Sequence, residues 1–212
     1  MVNTILTPPK PRLLSPHHSL VDWDMSAAGW RISTTYKVSL PSSINWPLAT
    51  TTWYHQLCKN ANCLKVSEGS IITQAMDLAG NTFLAFLFRN TAPAGISNIQ
   101  NCYKLDITLD ATSWWLREYQ TGVQTRIWTR GKTAQGIMAW QKYRVSWWLI
   151  GWNLTVTLEW WNGTAWVQQG DIVTVTDPLF GAETIQRAGL SYYHGSYPWT
   201  IYIDDTEIWQ RT

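Results

Sequence analysis

The sequence predicts an all-β protein, a two-sheet antiparallel sandwich, and three observations carry that prediction. Apolar and polar residues alternate with period two along most of the chain, an Asn-Gly pair joins two such stretches as a hairpin, and no segment of helical length carries an apolar stripe at 3.6 spacing. With 212 residues, 45% of them hydrophobic, the chain has material for one sizeable core. Sandwiches of this length form single domains. One domain is expected over 21–212, preceded by an extended arm over 1–20.

Pro8, Pro9, Pro11 and Pro16 define the arm, because proline fixes φ and removes the donor that a helix or a central strand needs. Such an arm is either a loose terminus or a docking segment lying along a neighbouring subunit. "MVNTILTPPKPRLLSPHH" lacks the basic-then-apolar layout of a secretory signal, so the product is expected to start in the cytosol. Alternation and turn residues then place strands in "WRISTTYKVSLP" and "SEGSIITQAMD". "NTFLAFLFRN" is apolar on both faces from Phe83 to Phe88 and should lie centrally or be covered on both sides. "YKLDITLD" puts Tyr103, Leu105, Ile107 and Leu109 on one face and Lys104, Asp106, Thr108 and Asp110 on the other, the pattern of a half-buried strand.

Three doubled tryptophans follow, at 114–115, 147–148 and 160–161. Neighbouring side chains on a strand point to opposite faces, so each pair should split into a core member and a face member. Trp114 enters the core with Leu116, leaving Trp115, Arg117 and Tyr119 outward. Trp147 enters with Tyr143 and Val145, leaving Arg144, Ser146 and Trp148 outward. Trp160 enters with Leu154, Val156 and Leu158, leaving Thr155, Thr157, Glu159 and Trp161 outward, before an Asn162-Gly163 turn and a returning strand at about 165–169. Rings, hydroxyls and a few charges on outward faces suit a glycan, whose C–H faces stack on indole and whose hydroxyls need hydrogen bonds. The expected binding set is Trp115, Arg117, Tyr119, Arg144, Trp148, Glu159 and Trp161. Burial under loops and subunit contact are the competing readings of the outer indoles.

Charged residues make up only 14% of the chain while Trp supplies 16 positions, so the surface is polar and aromatic rather than ionic. The net charge of +2 is spread without runs, which argues against nucleic acid or anionic lipid as a partner. No apolar run approaches the length of a membrane-spanning helix.

From Asn81 onward, the order "NTFLAFLFRN", "NCYKLDITLD", "SWWLREYQTG", "WQKYRVSWWL", "NLTVTLEWWNGTAWVQQGD", "RAGLSYY" and "WTIYIDDTEIW" resembles the concanavalin A-like lectin and glucanase superfamily, which includes laminin-G-like domains. Its markers are the Gly189-Leu190 step and the closing "IYIDDTEI" strand; residues 1–80 match poorly. The resemblance implies a jelly-roll of two curved antiparallel sheets.

Some members of that superfamily are glucanases with a strand motif of alternating carboxylates, Glu-x-Asp-x-x-Glu or a shorter form. In "LDITLD", Asp106 and Asp110 lie ~13 Å apart along a strand, against ~5 to ~9.5 Å for paired glycosidase carboxylates. Asp204 and Asp205 are adjacent and should point to opposite faces. No nucleophile elbow, phosphate loop or paired-histidine metal motif occurs; the histidines are His17, His18, His55 and His194. In "HQLCKNANC", a disulfide between Cys58 and Cys63 closing a small loop is the expected arrangement. A zinc site on His55, Cys58 and Cys63 would need a fourth ligand from afar, such as Cys102 or His17, and reduced buried thiols are the other alternative.

These features point to a non-catalytic, lectin-like binding module without a cofactor. The expected setting is a virion, phage or other extracellular particle, made without a secretory signal, on which the module decorates or attaches by contacting glycans, other subunits or both. A purely structural assembly protein and a glucanase-type enzyme are the alternatives.

Overall fold

The computed structural model describes residues 23–25, 31–33, 43–46, 55–59, 68–77, 82–91, 101–108, 111–136, 139–176, 187–194 and 201–211. The expected arm at 1–20, the boundary behind it, Leu109, Asp110 and Cys63 lie outside them. Fifteen strands occur among the described residues: β1 (Trp23–Met25), β2 (Arg31–Ser33), β3 (Ser43–Trp46), β4 (His55–Lys59), β5 (Gly69–Asp77), β6 (Thr82–Asn90), β7 (Cys102–Thr108), β8 (Ser113–Gln120), β9 (Val123–Gly131), β10 (Gln141–Ile150), β11 (Asn153–Trp161), β12 (Trp166–Gln168), β13 (Val173–Thr176), β14 (Arg187–His194) and β15 (Ile201–Gln210).

They form two antiparallel sheets packed as a sandwich. Sheet A runs β1-β4-β14-β6-β7-β8-β9, and sheet B runs β12-β11-β10-β5-β15-β3-β2 with β13 also paired to β11. The inner faces meet in one core. Sheet A contributes Leu84, Phe86, Phe88, Tyr103, Leu105, Ile107, Trp114 and Leu116; sheet B contributes Ile71, Tyr143, Val145, Trp147, Leu154, Val156, Leu158, Ile203 and Ile208. Trp147 stacks on Phe88 at 4.9 Å between centroids, and Phe88 on Tyr103 at 5.9 Å, so an aromatic stack crosses from one sheet to the other. Each offset pair adds about 0.5 to 1.5 kcal/mol beyond its buried area.

β6 lies between β14 and β7 and is buried on both faces from Leu84 to Phe88, as its two-sided apolar pattern requires. β7 corrects an expectation. Its alternation is as predicted, with Tyr103, Leu105 and Ile107 inward, yet all seven residues are buried rather than half-buried. Its polar positions therefore sit under cover.

β11 and β12 form the expected hairpin, with Trp161 opposite Trp166. Its loop spans Asn162–Ala165, where Gly163 takes a φ of 100° and Asn162 Oδ1 accepts the backbone N–H groups of Thr164 at 2.9 Å and Ala165 at 2.8 Å. The returning strand is shorter than the sequence suggests. It ends at Gln168, the chain turns at Gly170 with a φ of 67°, and β13 resumes the pairing with β11 further along. A Cβ on Gly170 would overlap the carbonyl oxygen of Gly131. That close approach brings Gln169 over the sandwich edge, where its carbonyl accepts Trp114 Nε1–H at 2.8 Å and its Oε1 accepts the Thr133 N–H at 2.7 Å. Arg126 Nη1 donates to the Thr176 carbonyl at 3.2 Å, so β9 of sheet A is stitched to β13 of sheet B.

β15 holds the second correction. A bulge between Asp204 and Glu207 opposite Thr73 breaks the strict alternation, with Asp205 at a φ of 47°. Asp204 lies opposite the outward Gln74, and Asp205 Oδ2 accepts from Gln74 Nε2 at 3.1 Å, so both aspartates lie on the outer side rather than on opposite faces. On the inner side the buried hydroxyls of Thr73 and Thr206 bond to each other.

Candidate functional site

The three tryptophan pairs split as alternation requires, with one difference in depth. Trp114 and Trp147 are fully buried, whereas Trp160 is only partly buried and packs against the core from its edge. The outward members do not share a surface. Trp115, Arg117 and Tyr119 lie on the outer face of sheet A, while Arg144, Trp148, Glu159 and Trp161 lie on that of sheet B. The expected set thus divides between opposite sides of the sandwich, since β8 and β10 belong to different sheets.

The outer face of sheet A is covered over β6 and β7 and opens toward β9, where Ile127 is exposed. Ala85, Leu87, Cys102, Lys104, Asp106, Thr108 and Tyr119 are all buried there, and Leu87, Cys102 and Tyr119 form a small second core. Tyr119 is buried there, packed against Leu87 and Cys102. Asp106 lies between two cations: Lys104 Nζ at 2.9 Å from Oδ1 and Arg117 Nε at 2.9 Å from Oδ2. Burial pushes its carboxyl above the usual aspartate range, with Lys104 and Arg117 pulling it back. Trp115 packs on Phe83 in an edge contact at 5.8 Å between centroids. Its ring serves that packing.

The outer face of sheet B is more open, and its organised part is the end formed by β10, β11 and β12. Arg144 and Glu159 are opposite each other across β10 and β11 and form a bidentate pair, Nε to Oε2 at 2.6 Å and Nη2 to Oε1 at 2.7 Å. The Arg144 guanidinium also lies over the Trp166 ring, 4.5 Å from its centroid. Trp166 in turn meets Trp161, which is 36% exposed, with ring centroids 5.5 Å apart and planes at 62°. Carboxylate, guanidinium and two indoles thus hold one another in place. Trp148 is on the same face but further along, opposite Thr155, with its Nε1 buried. Trp166 is the member of this cluster that the expected set lacks. The hairpin register could have found it, because the residue opposite an outward Trp161 also points outward.

The carboxylates of β15 are engaged internally. Asp204 is buried and its Oδ1 accepts the Asp205 N–H at 2.8 Å, Asp205 is held by Gln74, and Glu207 Oε2 accepts Trp209 Nε1–H at 2.9 Å. Asp106 lies on the other sheet. Among the described residues no group of three or more His, Cys, Asp or Glu side chains is placed to hold a metal ion. Of the cysteines, Cys102 is buried beside Leu87 and Tyr119; the side chains of Cys58, His55 and Cys63 are outside what is described, and with them the expected disulfide.

Compared with solved structures, the chain is similar to the carbohydrate binding module CBM66 from Bacillus subtilis, at 11% identity and a TM-score of 0.52, covering 89% of this chain and 96% of that one. It is also similar to the potassium-bound Emp46p carbohydrate recognition domain, at 12% identity and a TM-score of 0.58, covering 91% and 90%. The lectin UEA-II complexed with galactose is similar at 10% identity and a TM-score of 0.52, covering 95% and 97%. No protein-family model matches the sequence, and no curated protein matches it. The fold shared by these structures and by this protein is the concanavalin A-like lectin and glucanase fold.

Proposed function

We propose that the protein is a non-catalytic glycan-binding module whose binding surface is the β10, β11 and β12 end of sheet B's outer face. The observation that carries this reading is the Trp161–Trp166 pair, an accessible indole held at a fixed angle by a second indole and by the Arg144–Glu159 fork. Binding sites gain affinity when their groups are ordered before the ligand arrives, and indole offers the apolar face that a sugar ring stacks on. That the similar structures include a carbohydrate binding module and a galactose complex adds support. A glycan array probed with the purified chain and with Trp161→Ala tests the reading. Signals present for the parent and lost in the variant are expected; an array blank for the parent would overturn it. Release of reducing sugar from β-glucans, lost in Asp106→Asn or Asp204→Asn, would favour the glucanase alternative instead.

The finer proposal is that this module is a decoration or attachment part of a virion, phage or other extracellular particle, with further subunits as partners. Its supports are the proline-rich 1–20 segment and the β10–β11 turn, where Trp152 is 82% exposed next to an exposed Ile150. Light scattering of the chain with and without residues 1–20 tests it: a large assembly that falls apart on deletion is expected, and a monomer in both cases would refute it.

A further inference from the structure

We infer that the β10, β11 and β12 end of sheet B's outer face takes an acidic sugar ring, stacked on Trp161 with its carboxylate or sulfate on the Lys142 ammonium, and that the glycan continues as neutral rings toward Trp209. The inference rests on the glycan-binding reading above and gives that site a ligand class.

Charge at this end is unbalanced. One step beyond the Tyr143–Trp160 pair, Lys142 of β10 comes opposite Trp161 of β11, and on its other side it lies opposite Gln74 of β5. Lys142 is partly exposed, and no described carboxylate forms an ion pair with it. Glu159, two residues before Trp161, has both oxygens bound to Arg144 at 2.6 and 2.7 Å. That pair cancels, and one positive charge is left beside the indole.

Stacking falls to Trp161. The Arg144 guanidinium lies over the Trp166 ring, 4.5 Å from its centroid, so Trp161, 36% exposed, is the open indole of the two. Side chains directly opposite on neighbouring strands have Cβ atoms about 5 Å apart, which puts the edge of a ring stacked on Trp161 within reach of Lys142 Nζ. An anion on that edge forms a charge-assisted bond, roughly twice as strong as a neutral one.

The charge reverses across the face. On β15, Asp205 and Glu207 are partly exposed and pair with no described cation; Asp205 Oδ2 accepts from Gln74 Nε2 at 3.1 Å, and Glu207 Oε2 accepts Trp209 Nε1–H at 2.9 Å. Two strand spacings, ~10 Å, separate β15 from β10, about the screening length in 0.1 M salt, so these carboxylates do not neutralise Lys142. They disfavour a second anionic ring placed over β15. Trp209 lies opposite Ser70, and Ser70 opposite Ser146, all three partly exposed, so an indole and two hydroxyls extend the surface from β10 to β15. That stretch suits neutral rings.

Calorimetric titration of the full chain tests this with methyl glycosides of glucuronate, galacturonate, glucose and galactose, with glucose 6-sulfate, and with tetrasaccharides carrying one terminal uronate, four uronates or none. Acidic monosaccharides are expected to bind at least ~10-fold tighter than their neutral counterparts at low salt, with the ratio shrinking as salt is raised. Lys142→Met should erase that ratio and Lys142→Arg should keep it. The tighter of the glucuronate and glucose 6-sulfate probes identifies the anion. Trp209→Ala should weaken the single-uronate tetrasaccharide more than it weakens the monosaccharides. Equal affinity for acidic and neutral monosaccharides, or a preference that survives Lys142→Met, would overturn the inference and leave the glycan-binding reading standing. Tighter binding of the four-uronate chain than of the single-uronate chain, or a Trp209→Ala effect no greater on four rings than on one, would overturn the neutral continuation. Failure of every probe would remove the glycan-binding reading and this inference with it.

Discussion

The outer faces of the two sheets carry similar residue types and do different things. On sheet A, Lys104, Asp106 and Arg117 lie with Trp115 on a face whose Lys104 and Asp106 are 1% and 2% exposed; on sheet B, Arg144 and Glu159 lie with Trp161 and Trp166 and remain partly open. In both, an ion pair sits beside indole. Where water is excluded the pair answers for the integrity of the fold, since a charge left alone there has no solvent to turn to. Where water reaches it the pair adds little stability and serves to hold neighbouring rings. What separates the two faces is cover, and cover is a property of the whole assembly of strands.

The largest test of that contrast is Asp106→Ala, expected to cost about 3 to 5 kcal/mol in chemical denaturation because Lys104 stays buried without its carboxylate. A cost like that of a surface pair would show that the sheet A face is open. Next, Trp115→Ala should cost about 2 kcal/mol, below a fully buried Trp, through its lost contact with Phe83. Trp161→Ala should stay within about 1 kcal/mol of the parent by thermal melting while abolishing glycan binding. Equal losses for these two indoles would erase the difference between the faces. The smallest effect concerns pH. The folded chain holds the Asp106 proton to higher pH than the unfolded chain does. Its contribution is therefore complete below about pH 4, the unfolded value, and is lost as pH rises through the raised folded value. Stability of the parent relative to Asp106→Asn should fall over that window; a rise would mean that Lys104 and Arg117 outweigh burial.

Alternation made the inward and outward sides of β7, β8, β10 and β11 legible, because side-chain direction on a strand is a local matter of period two. The hairpin at Asn162-Gly163 was legible for the same reason. Membership of a sheet was not. Trp115 and Trp148 have equivalent local patterns, yet the chain passes from sheet A to sheet B between β9 and β10, and nothing within either strand records that passage. The bulge at Asp205 was equally hidden, since it arises where the β15 and β5 registers must be reconciled across more than a hundred residues. The candidate site was half legible. Its Arg144, Glu159 and Trp161 follow from one strand pair, while the burial of Tyr119 depends on cover that lies beyond β8.

The edge contact at Gln169 and Gly170 sets unequal limits on how the sequence can drift. Trp114 is held by a main-chain carbonyl, so that bond survives whatever side chain stands at position 169, and a substitution there forfeits only the Thr133 link. Its neighbour has no such latitude. Any side chain at position 170 meets the Gly131 backbone and needs a left-handed φ of 67°, so one missing methyl group decides whether the two sheet edges can close on each other. Lineages of this chain should therefore vary at 169 and stay glycine at 170, a heritable trace of a contact that no catalytic or binding residue makes.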